Sequence, residues 1–341
     1  PRGYATAGTD TGHQGVGGGD ASPFLDNWER IVNYGYRAVH LTTVNAKIII
    51  RIFYDEDILY SYFGGCSNGG RQAWMEAQRY PKDFDGMIAG APGFDLVKLY
   101  RVKEPEPPPR YLQEVLFPIG QALDDPLFPV SKAPLIDEAA LANCDHEDGV
   151  MDGLIGDPRN CSFDHWDLQC TGEPGEDPST CLTEDELMML DRLFPLSPFV
   201  GVTGEELLGL PYGLVGWPRQ HVYDSEYLDV FGVPSVGYNW IQNWRRYLIY
   251  DDPTLGFHDT VSDGVEQRLL DLTEVIDADD TDLSQFRDNG GKMIIWHGWS
   301  DSAVNALNTI RYYEDAEANE ANAQGGEEDI RDFSRLFMLP G

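Results

Sequence analysis

The apolar residues of the N-terminal part follow a helical period first and a strand-like pattern next. Aliphatic side chains recur at every fourth or fifth position over residues 34–54, which predicts a helix packed on a core. These side chains are Val39, Val44, Ile48 and Ile52. The β-branched and aromatic run Ile58–Phe63 ends at a glycine pair, which predicts a buried strand. Asn68–Tyr80 is helical in composition and Gly86–Ala89 is a short apolar run, so the order of elements predicts a parallel sheet with helices on its faces.

The pattern changes in the middle of the chain and returns near its end. From about Phe94 to Arg287 prolines are frequent, and acidic loops alternate with short helices such as Glu184–Leu193. Lys292–Trp296 again has the apolar character of a strand, and a helical segment follows at Ala303–Ala316. We therefore expect a sheet domain that is interrupted by a large inserted lid.

Acidic residues dominate the charge of the chain. The sequence has 24 Lys and Arg against 58 Asp and Glu, which gives a net charge of -34. Such a surface repels the phosphates of nucleic acid, so nucleic acid is excluded as an expected partner. The sequence has no apolar run near the roughly 18 residues that a membrane span needs, so no membrane partner is expected either.

The cysteines indicate an oxidising compartment. Four of the five lie in one loop-rich window, a clustering that favours disulfides and a secreted or periplasmic location. These are Cys144, Cys161, Cys170 and Cys181. The fifth, Cys66, has no predicted partner within the chain. The sequence has no initiator Met and no signal segment and opens at Pro1 in what looks like folded sequence. We therefore expect that part of the protein is missing from it.

A nucleophile motif lies between the first predicted strand and the helix that follows it. Gly65-Cys66-Ser67-Asn68-Gly69 fits G-x-S-x-G, in which glycines leave room for a strained turn that projects the serine. In that geometry Ser67 is the nucleophile and the Asn68 backbone N–H points at the developing oxyanion. The alternative is a buried structural serine.

A serine nucleophile needs a base and an acidic residue that orients the base. Asp301 follows the last predicted strand and a turn, which gives the order of serine and acid found in α/β-hydrolases. The alternative role for Asp301 is an N-cap of the helix near Ala303, and both roles are compatible. All seven histidines precede Asp301; His297 is a weak candidate for the base, and His13 is predicted to pack in a loop.

Four separated blocks of the sequence are similar to the tannase and feruloyl esterase family of serine esterases, which includes a terephthalate monoester hydrolase branch. The blocks are GYATAGTDTGHQG (3–15), NYGYRAVHLTTVNAK (33–47), YSYFGGCSNGGRQAWMEAQRYPKDFDGMIAGAPG (60–93) and HGWSD (297–301). They occur in order and span nearly the whole chain. The resemblance implies an α/β-hydrolase fold with a large inserted lid domain. We assign residues 1–94 and 288–341 to the catalytic domain, incomplete at both ends, and residues 95–287 to the lid.

The resemblance also implies roles for single residues. Ser67 is the implied nucleophile and Asp301 the implied acid, with the histidine expected in a Gly-His-Cys segment beyond Gly341. The cysteine of that segment is the implied partner of Cys66. A glycine-rich segment that carries the second oxyanion donor is expected before Gly3.

An acidic loop at Cys144–Gly153 is a candidate calcium site. Asp145, Asp148 and Asp152 supply hard oxygen ligands, although their spacing is not that of an EF-hand, and the alternative is an acidic surface turn. The resemblance implies that these carboxylates and the main-chain carbonyls of Val150 and Leu154 hold a structural Ca²⁺ in the lid.

The four clustered cysteines allow three disulfide pairings. Pairing Cys144 with Cys161 closes the acidic loop, and pairing Cys170 with Cys181 closes a second one. A zinc site is the competing interpretation, but no Cys-x2-Cys spacing supports it.

The predicted function is that of a secreted serine carboxylesterase. It hydrolyses feruloyl, galloyl or related aromatic esters, small or linked to polysaccharide, through an acyl-enzyme. Four lid aromatics are candidates to stack on the acyl group or to belong to the core: Trp217, Tyr238, Trp240 and Trp244. The alternatives are terephthalate monoester hydrolysis, a catalytically inactive binding protein of the same fold and a calcium-dependent structural module.

Overall fold

The computed structural model describes residues 3–17, 19–97, 128–193, 199–200, 206–207, 235–256, 259, 265–323 and 329–340. The chain folds into two compact units. The first unit comprises Pro1–Tyr100, Asn243–His297 and Thr309–Phe337, and the second comprises Arg101–Gln242, Gly298–Asn308 and Met338–Gly341. The predicted lid differs from this division, because residues 243–287 pack within the first unit.

Helices and strands alternate in the order expected of an α/β chain. The helices are α1 (Trp28–Val32), α2 (Ala38–Tyr54), α3 (Asn68–Arg79), α4 (Ala133–Cys144), α5 (Glu184–Leu193), α6 (Val236–Trp244), α7 (Val265–Ile276), α8 (Ser284–Asp288) and α9 (Ala306–Ala323). The strands are β1 (Tyr62–Cys66), β2 (Gly86–Gly90), β3 (Phe199–Val200), β4 (Glu206–Leu207), β5 (Lys292–Gly298) and β6 (Ser334–Leu339). A π-helical stretch, Asn33–Arg37, joins α1 to α2, and a second one, Arg245–Ile249, follows α6.

The main sheet has the strand order β1-β2-β5-β6, with β1 parallel to β2 and β2 parallel to β5. The register aligns Gly65 with Ala89 and Ala89 with Ile295. A backbone hydrogen bond of 2.7 Å runs from the Met293 N–H to the Phe333 carbonyl just before β6. The predicted parallel sheet is confirmed.

The core of the first unit lies between one face of this sheet and the helices α3 and α9. Its largest fully buried side chain is Trp74 of α3, which stacks on Tyr312 of α9 with 4.0 Å between ring centroids. Phe94 completes an aromatic cluster with both rings, at 5.1 Å from each. Burial of these large rings stabilises the packing of both helices on the sheet.

The second unit is built around α4, α5 and two disulfides. Lys132 and Glu186 form a buried ion pair, with Nζ at 2.9 and 2.8 Å from the two carboxylate oxygens. The fully buried His165 ring lies 2.9 Å from the Asp191 carboxylate. Helix α5 has the bounds that the sequence predicts. Its first turn carries three acidic residues, which suits the positive end of the helix dipole.

The bounds of the first predicted strand need correction. The predicted strand Ile58–Phe63 is wrong, since strand β1 begins at Tyr62 and continues through the glycine pair that had indicated its end. The prediction missed this because Gly64 and Gly65 were taken as breakers, whereas the sheet accepts them as strand residues.

Helix α2 forms as predicted, but only its N-terminal half is packed on a core. Val39 is buried, whereas Ile48 and Ile52 are exposed. Periodicity identifies a helix without identifying what covers each part of it. Among the described helices, none combines the length and the apolar character that crossing a bilayer requires.

Candidate active site

The predicted nucleophile lies on a sharp turn between strand β1 and helix α3. Ser67 follows the last strand residue and precedes Asn68, and its backbone has φ 59° and ψ −121°. Such a conformation is strained for a residue with a side chain and persists only where the surroundings hold it. The Ser67 N–H donates to the Gly90 carbonyl at 2.9 Å, and its carbonyl accepts from the Arg71 N–H at 3.1 Å.

Sterics require a glycine at Gly65 of the motif and at Gly70, the residue that follows the motif. A Cβ on Gly65 would lie 2.5 Å from the backbone of Gly69, and a Cβ on Gly70 would lie 2.3 Å from the Gly90 carbonyl oxygen. Both distances are far below van der Waals contact. The structure therefore gives a steric reason for the first glycine of the G-x-S-x-G pattern, whereas a Cβ on Gly69 would meet nothing within 4 Å.

The start of helix α3 offers hydrogen-bond donors beside the serine. The Ser67 side chain makes no capping hydrogen bond to the helix. Asn68 is the first helical residue, and the first N–H groups of a helix have no acceptor within it. They also lie at the positive end of the helix dipole. This is the position at which an oxyanion is stabilised.

A buried arginine that the sequence analysis missed braces this turn. Arg71 is fully buried and donates to the main-chain carbonyls of Gly35 at 2.9 Å, Ile276 at 2.8 Å and Tyr34 at 3.0 Å. Its Nε donates to the Asn68 side chain at 2.8 Å. Burial lowers the pKa of the guanidinium from its usual range. The sequence analysis missed Arg71 because the carbonyls that it binds lie far from it in the sequence.

The predicted acid lies in a turn after strand β5. The Asp301 N–H donates to the Gly298 carbonyl at 3.3 Å, and its Oδ1 accepts the N–H groups of Ala303 at 2.8 Å and Val304 at 3.0 Å. Helix α9 begins only at Ala306. The predicted helix start near Ala303 is therefore wrong, and Asp301 stabilises the turn that precedes the helix.

The structure shows packing roles for the two histidines considered above. His297 is fully buried, and its Nδ1 lies 2.9 Å from the Thr309 hydroxyl. The His13 ring packs against Phe24 and Tyr34, with centroids 4.6 and 5.6 Å apart, as a loop-packing residue does.

The disulfides follow one of the three pairings that the sequence allowed. Cys144 is bonded to Cys161 and Cys170 to Cys181, with Cα–Cα distances of 5.2 and 4.9 Å. Cys66 is a free, exposed cysteine.

The carboxylates of the acidic loop accept hydrogen bonds from nearby backbone N–H groups. The three predicted carboxylates each accept backbone N–H groups within the loop. The donors are Asp152 and Gly153 for Asp145, Val150 for Asp148, and Leu154 for Asp152. Gly149 and Gly153 have positive φ angles of 88° and 81°, which allow these turns.

The predicted Ca²⁺ ligands of the loop are carboxylate and carbonyl oxygens, the donors that Ca²⁺ prefers, and calcium binding stays a prediction. Two groups of three candidate ligands have their ligand atoms within 4.8 Å of one another in the described part of the chain, and the loop carboxylates are not among them. The groups are His40, Glu76 and Asp83, and Cys170, Glu176 and Cys181, but the two cysteines of the second group form a disulfide and offer no thiolate.

The comparisons with known proteins agree with this geometry. The sequence profile described as tannase and feruloyl esterase matches residues 1–209 and 232–341. The chain belongs to the tannase and feruloyl esterase family. A probable feruloyl esterase B of Aspergillus niger is 32% identical over 343 residues, which cover 99% of this chain and 60% of that protein. An uncharacterized esterase of Xanthomonas campestris is 34% identical over 362 residues, which cover 100% of this chain and 59% of that protein.

Solved structures of the tannase and feruloyl esterase family have the same fold. The crystal structure of feruloyl esterase B from Aspergillus oryzae matches with a TM-score of 0.77 at 25% identity, over 94% of this chain and 60% of that one. The crystal structure of an esterase from the same fungus matches with a TM-score of 0.74 at 28% identity, over 97% of this chain and 60% of that one. The predicted α/β-hydrolase fold class is confirmed. The chain spans about 60% of the length of the relatives it matches.

The lid aromatics of this family member are only partly described. Tyr238 is buried, whereas Trp240 and Trp244 are half-buried on the same helix, α6. Trp217 lies outside the described residues. Contact of these rings with an acyl group stays a prediction.

Proposed function

We propose that the protein is a serine carboxylesterase that hydrolyses esters of phenolic acids such as ferulic or gallic acid. The observation that supports this most is the strained Ser67, held between β1 and α3 at a turn that excludes any side chain on Gly65. The names of its relatives, feruloyl esterase B among them, agree with the substrate class.

In the proposed reaction the Ser67 hydroxyl attacks the ester carbonyl carbon while a base takes its proton. The tetrahedral oxyanion is stabilised by the Asn68 N–H at the start of α3. The bond to the alkoxy oxygen breaks and the alcohol leaves with that proton, so that an acyl-enzyme forms; water then attacks it and releases the acid. Asp301 is the proposed partner of the base. It lies in the turn that follows strand β5.

The role of the base falls to a histidine in the family that this chain resembles. The seven histidines of this chain all precede Asp301. The experiments below use the full-length gene product.

The test compares methyl ferulate and p-nitrophenyl ester hydrolysis by the wild type, Ser67→Ala and Ser179→Ala. Ser179 is an exposed serine of a disulfide loop and serves as the matched control. We expect Ser67→Ala to lose at least about 10³-fold in kcat/KM, and Ser179→Ala to lose none. Equal background rates for all three proteins would favour the inactive binding protein.

We propose that the protein is secreted or periplasmic, and that its acidic loop holds a structural Ca²⁺ through Asp145, Asp148 and Asp152 with the carbonyls of Val150 and Leu154. The two disulfides support the oxidising location. The Ca²⁺ would stabilise the loop that the Cys144–Cys161 bond closes.

For the Ca²⁺ site, calcium is expected to raise the melting temperature of the wild type and to leave that of Asp148→Asn unchanged. An equal response of both proteins to chelator contradicts the site.

A further inference from the structure

A cluster outside the esterase site joins helix α2, helix α3 and the loop before strand β2. The His40 Nδ1 lies 2.6 Å from an Asp83 carboxylate oxygen. One ligand atom each of His40, Glu76 and Asp83 lies within 4.8 Å of the other two. Glu76 lies near the C-terminal end of α3, and Ser67 directly precedes the first residue of the same helix.

Glu76 is the unusual member of this cluster. Its side chain is fully buried, and neither carboxylate oxygen has a hydrogen-bond donor in the described part of the chain. A buried carboxylate without a partner is strongly destabilising. Its neighbour Asp83 is also an acceptor, so the two carboxyl groups need a cation or a shared proton between them. Burial, reinforced by Asp83, raises the pKa of Glu76 to about 9.

The positive group nearby is already engaged elsewhere. The Lys47 ammonium donates to the main-chain carbonyl of Asp83, to which the Ser61 hydroxyl also donates, at 2.8 Å. The His40 ring is stacked on Tyr80, with centroids 3.8 Å apart and an angle of 9° between the planes. These contacts hold the His40 ring and the Asp83 backbone in place. None of them supplies a hydrogen-bond donor to the Glu76 carboxylate.

We propose that His40, Glu76 and Asp83 bind a divalent transition-metal ion of the zinc type. One imidazole and two carboxylates form a donor set that Zn²⁺ uses, and the imidazole disfavours Ca²⁺. Ligands of one tetrahedral zinc lie about 3.3 Å apart, so movements of roughly 1 Å bring the three groups into position. Binding of Zn²⁺ requires the carboxylate form of Glu76, so the proton that burial keeps on Glu76 is released to solvent when the ion binds.

The site has an entry path and a defined structural consequence. The His40 side chain is 28% exposed, so an ion reaches the cluster from the His40 side. A bound ion would link α2 and the loop before β2 to α3, the helix that begins directly after Ser67. This inference does not depend on the ester chemistry proposed above.

The experiment titrates the chelator-stripped, full-length protein with Zn²⁺ by calorimetry and measures its metal content after dialysis. We expect one zinc per chain, and an affinity at least about tenfold weaker in Glu76→Gln. The Gln side chain keeps the shape of the protonated Glu76 and cannot become a carboxylate ligand, so the fold is expected to be retained while the metal ligand is lost. Glu56→Gln, which changes an exposed carboxylate, is the matched control and is expected to bind like the wild type.

Two further variants separate the outcomes. His40→Gln is expected to weaken zinc binding as Glu76→Gln does, whereas Asp57→Asn, which changes an exposed carboxylate outside both proposed metal sites, leaves it unchanged. Circular dichroism confirms that each variant is folded. Zinc bound equally by the wild type and Glu76→Gln, or no saturable zinc binding, would overturn the proposal and leave a shared proton as the explanation of the carboxyl pair.

Discussion

The two faces of the parallel sheet differ in what covers them. Neighbouring isoleucines of β5 show this most simply: Ile295 is 1% exposed and Ile294 is 47% exposed. On β2 the covered Met87 and the exposed Ile88 repeat the pattern, at 3% and 48%. We call the side of Ile295 the covered face and the side of Ile294 the open face.

The covered face lies under α3 and α9, whose Trp74 and Tyr312 belong to the same core as Ile295. The open face carries Ile88 and Ile294 in neighbouring register positions. Strands of parallel sheets are apolar on both faces, so the strand sequence alone does not show which face a helix covers. An isoleucine on the covered face is therefore expected to contribute much more to the free energy of unfolding than an isoleucine on the open face.

The largest expected effect comes from truncating one isoleucine on each face. Ile295→Ala leaves a cavity in the core and is expected to lower the free energy of unfolding by about 3 kcal/mol. Ile294→Ala removes a half-exposed side chain and is expected to cost less than about 1 kcal/mol. Urea denaturation measures both. Equal losses would mean that the open face is packed as tightly as the covered one.

A smaller effect comes from the buried Glu76 of helix α3. Its pKa is raised to about 9 by burial, so the native state keeps a proton that the unfolded state has released. The free energy of unfolding of the metal-free protein is therefore expected to fall as pH rises from 4.5 towards about 9. The expected fall between pH 6 and pH 8 is about 2.7 kcal/mol. Denaturation in chelator at both pH values measures this. Glu76→Gln should remove that part of the slope and Glu56→Gln should keep it; a slope unchanged by Glu76→Gln contradicts the assignment.

Two tyrosines give a third, weaker contrast. The Tyr312 hydroxyl donates to the Asp280 carbonyl at 2.7 Å and accepts from Gln78 at 2.9 Å inside the covered side. Tyr312→Phe is expected to destabilise the protein by about 1 kcal/mol, because both groups lose a partner. Tyr62→Phe on exposed β1 is expected to change nothing measurable in thermal denaturation. A silent Tyr312→Phe would show that water replaces the lost bonds.

The sequence predicted those features that rest on local sterics or local period. The turn at Ser67 was predictable, because Gly65 and Gly69 must approach each other whatever surrounds them. The bounds of α5 were predictable from a strong helical period and an acidic first turn.

Features that depend on distant partners were not predictable. Arg71 bonds to Ile276, 205 residues away, and no local pattern signals that pairing. The assembly of His40 with Glu76 and Asp83 was missed for the same reason. The exposed Ile48 and Ile52 of α2 show the converse, since their period predicts a covered face that the structure does not provide.

The smallest expected effect on stability is also the most direct probe of the open face. The double variant Ile88→Thr with Ile294→Thr keeps β-branched residues on adjacent strands, and it is expected to change the free energy of unfolding by less than about 0.5 kcal/mol. Because it removes apolar surface from the open face, it should lower the fluorescence of bound anilinonaphthalene sulfonate. Leu59→Thr, exposed outside the sheet, is the control for an isolated apolar side chain. If the double variant instead unfolds as readily as Ile295→Ala while dye binding stays constant, the two faces are equally covered in solution, and the contrast between them is lost.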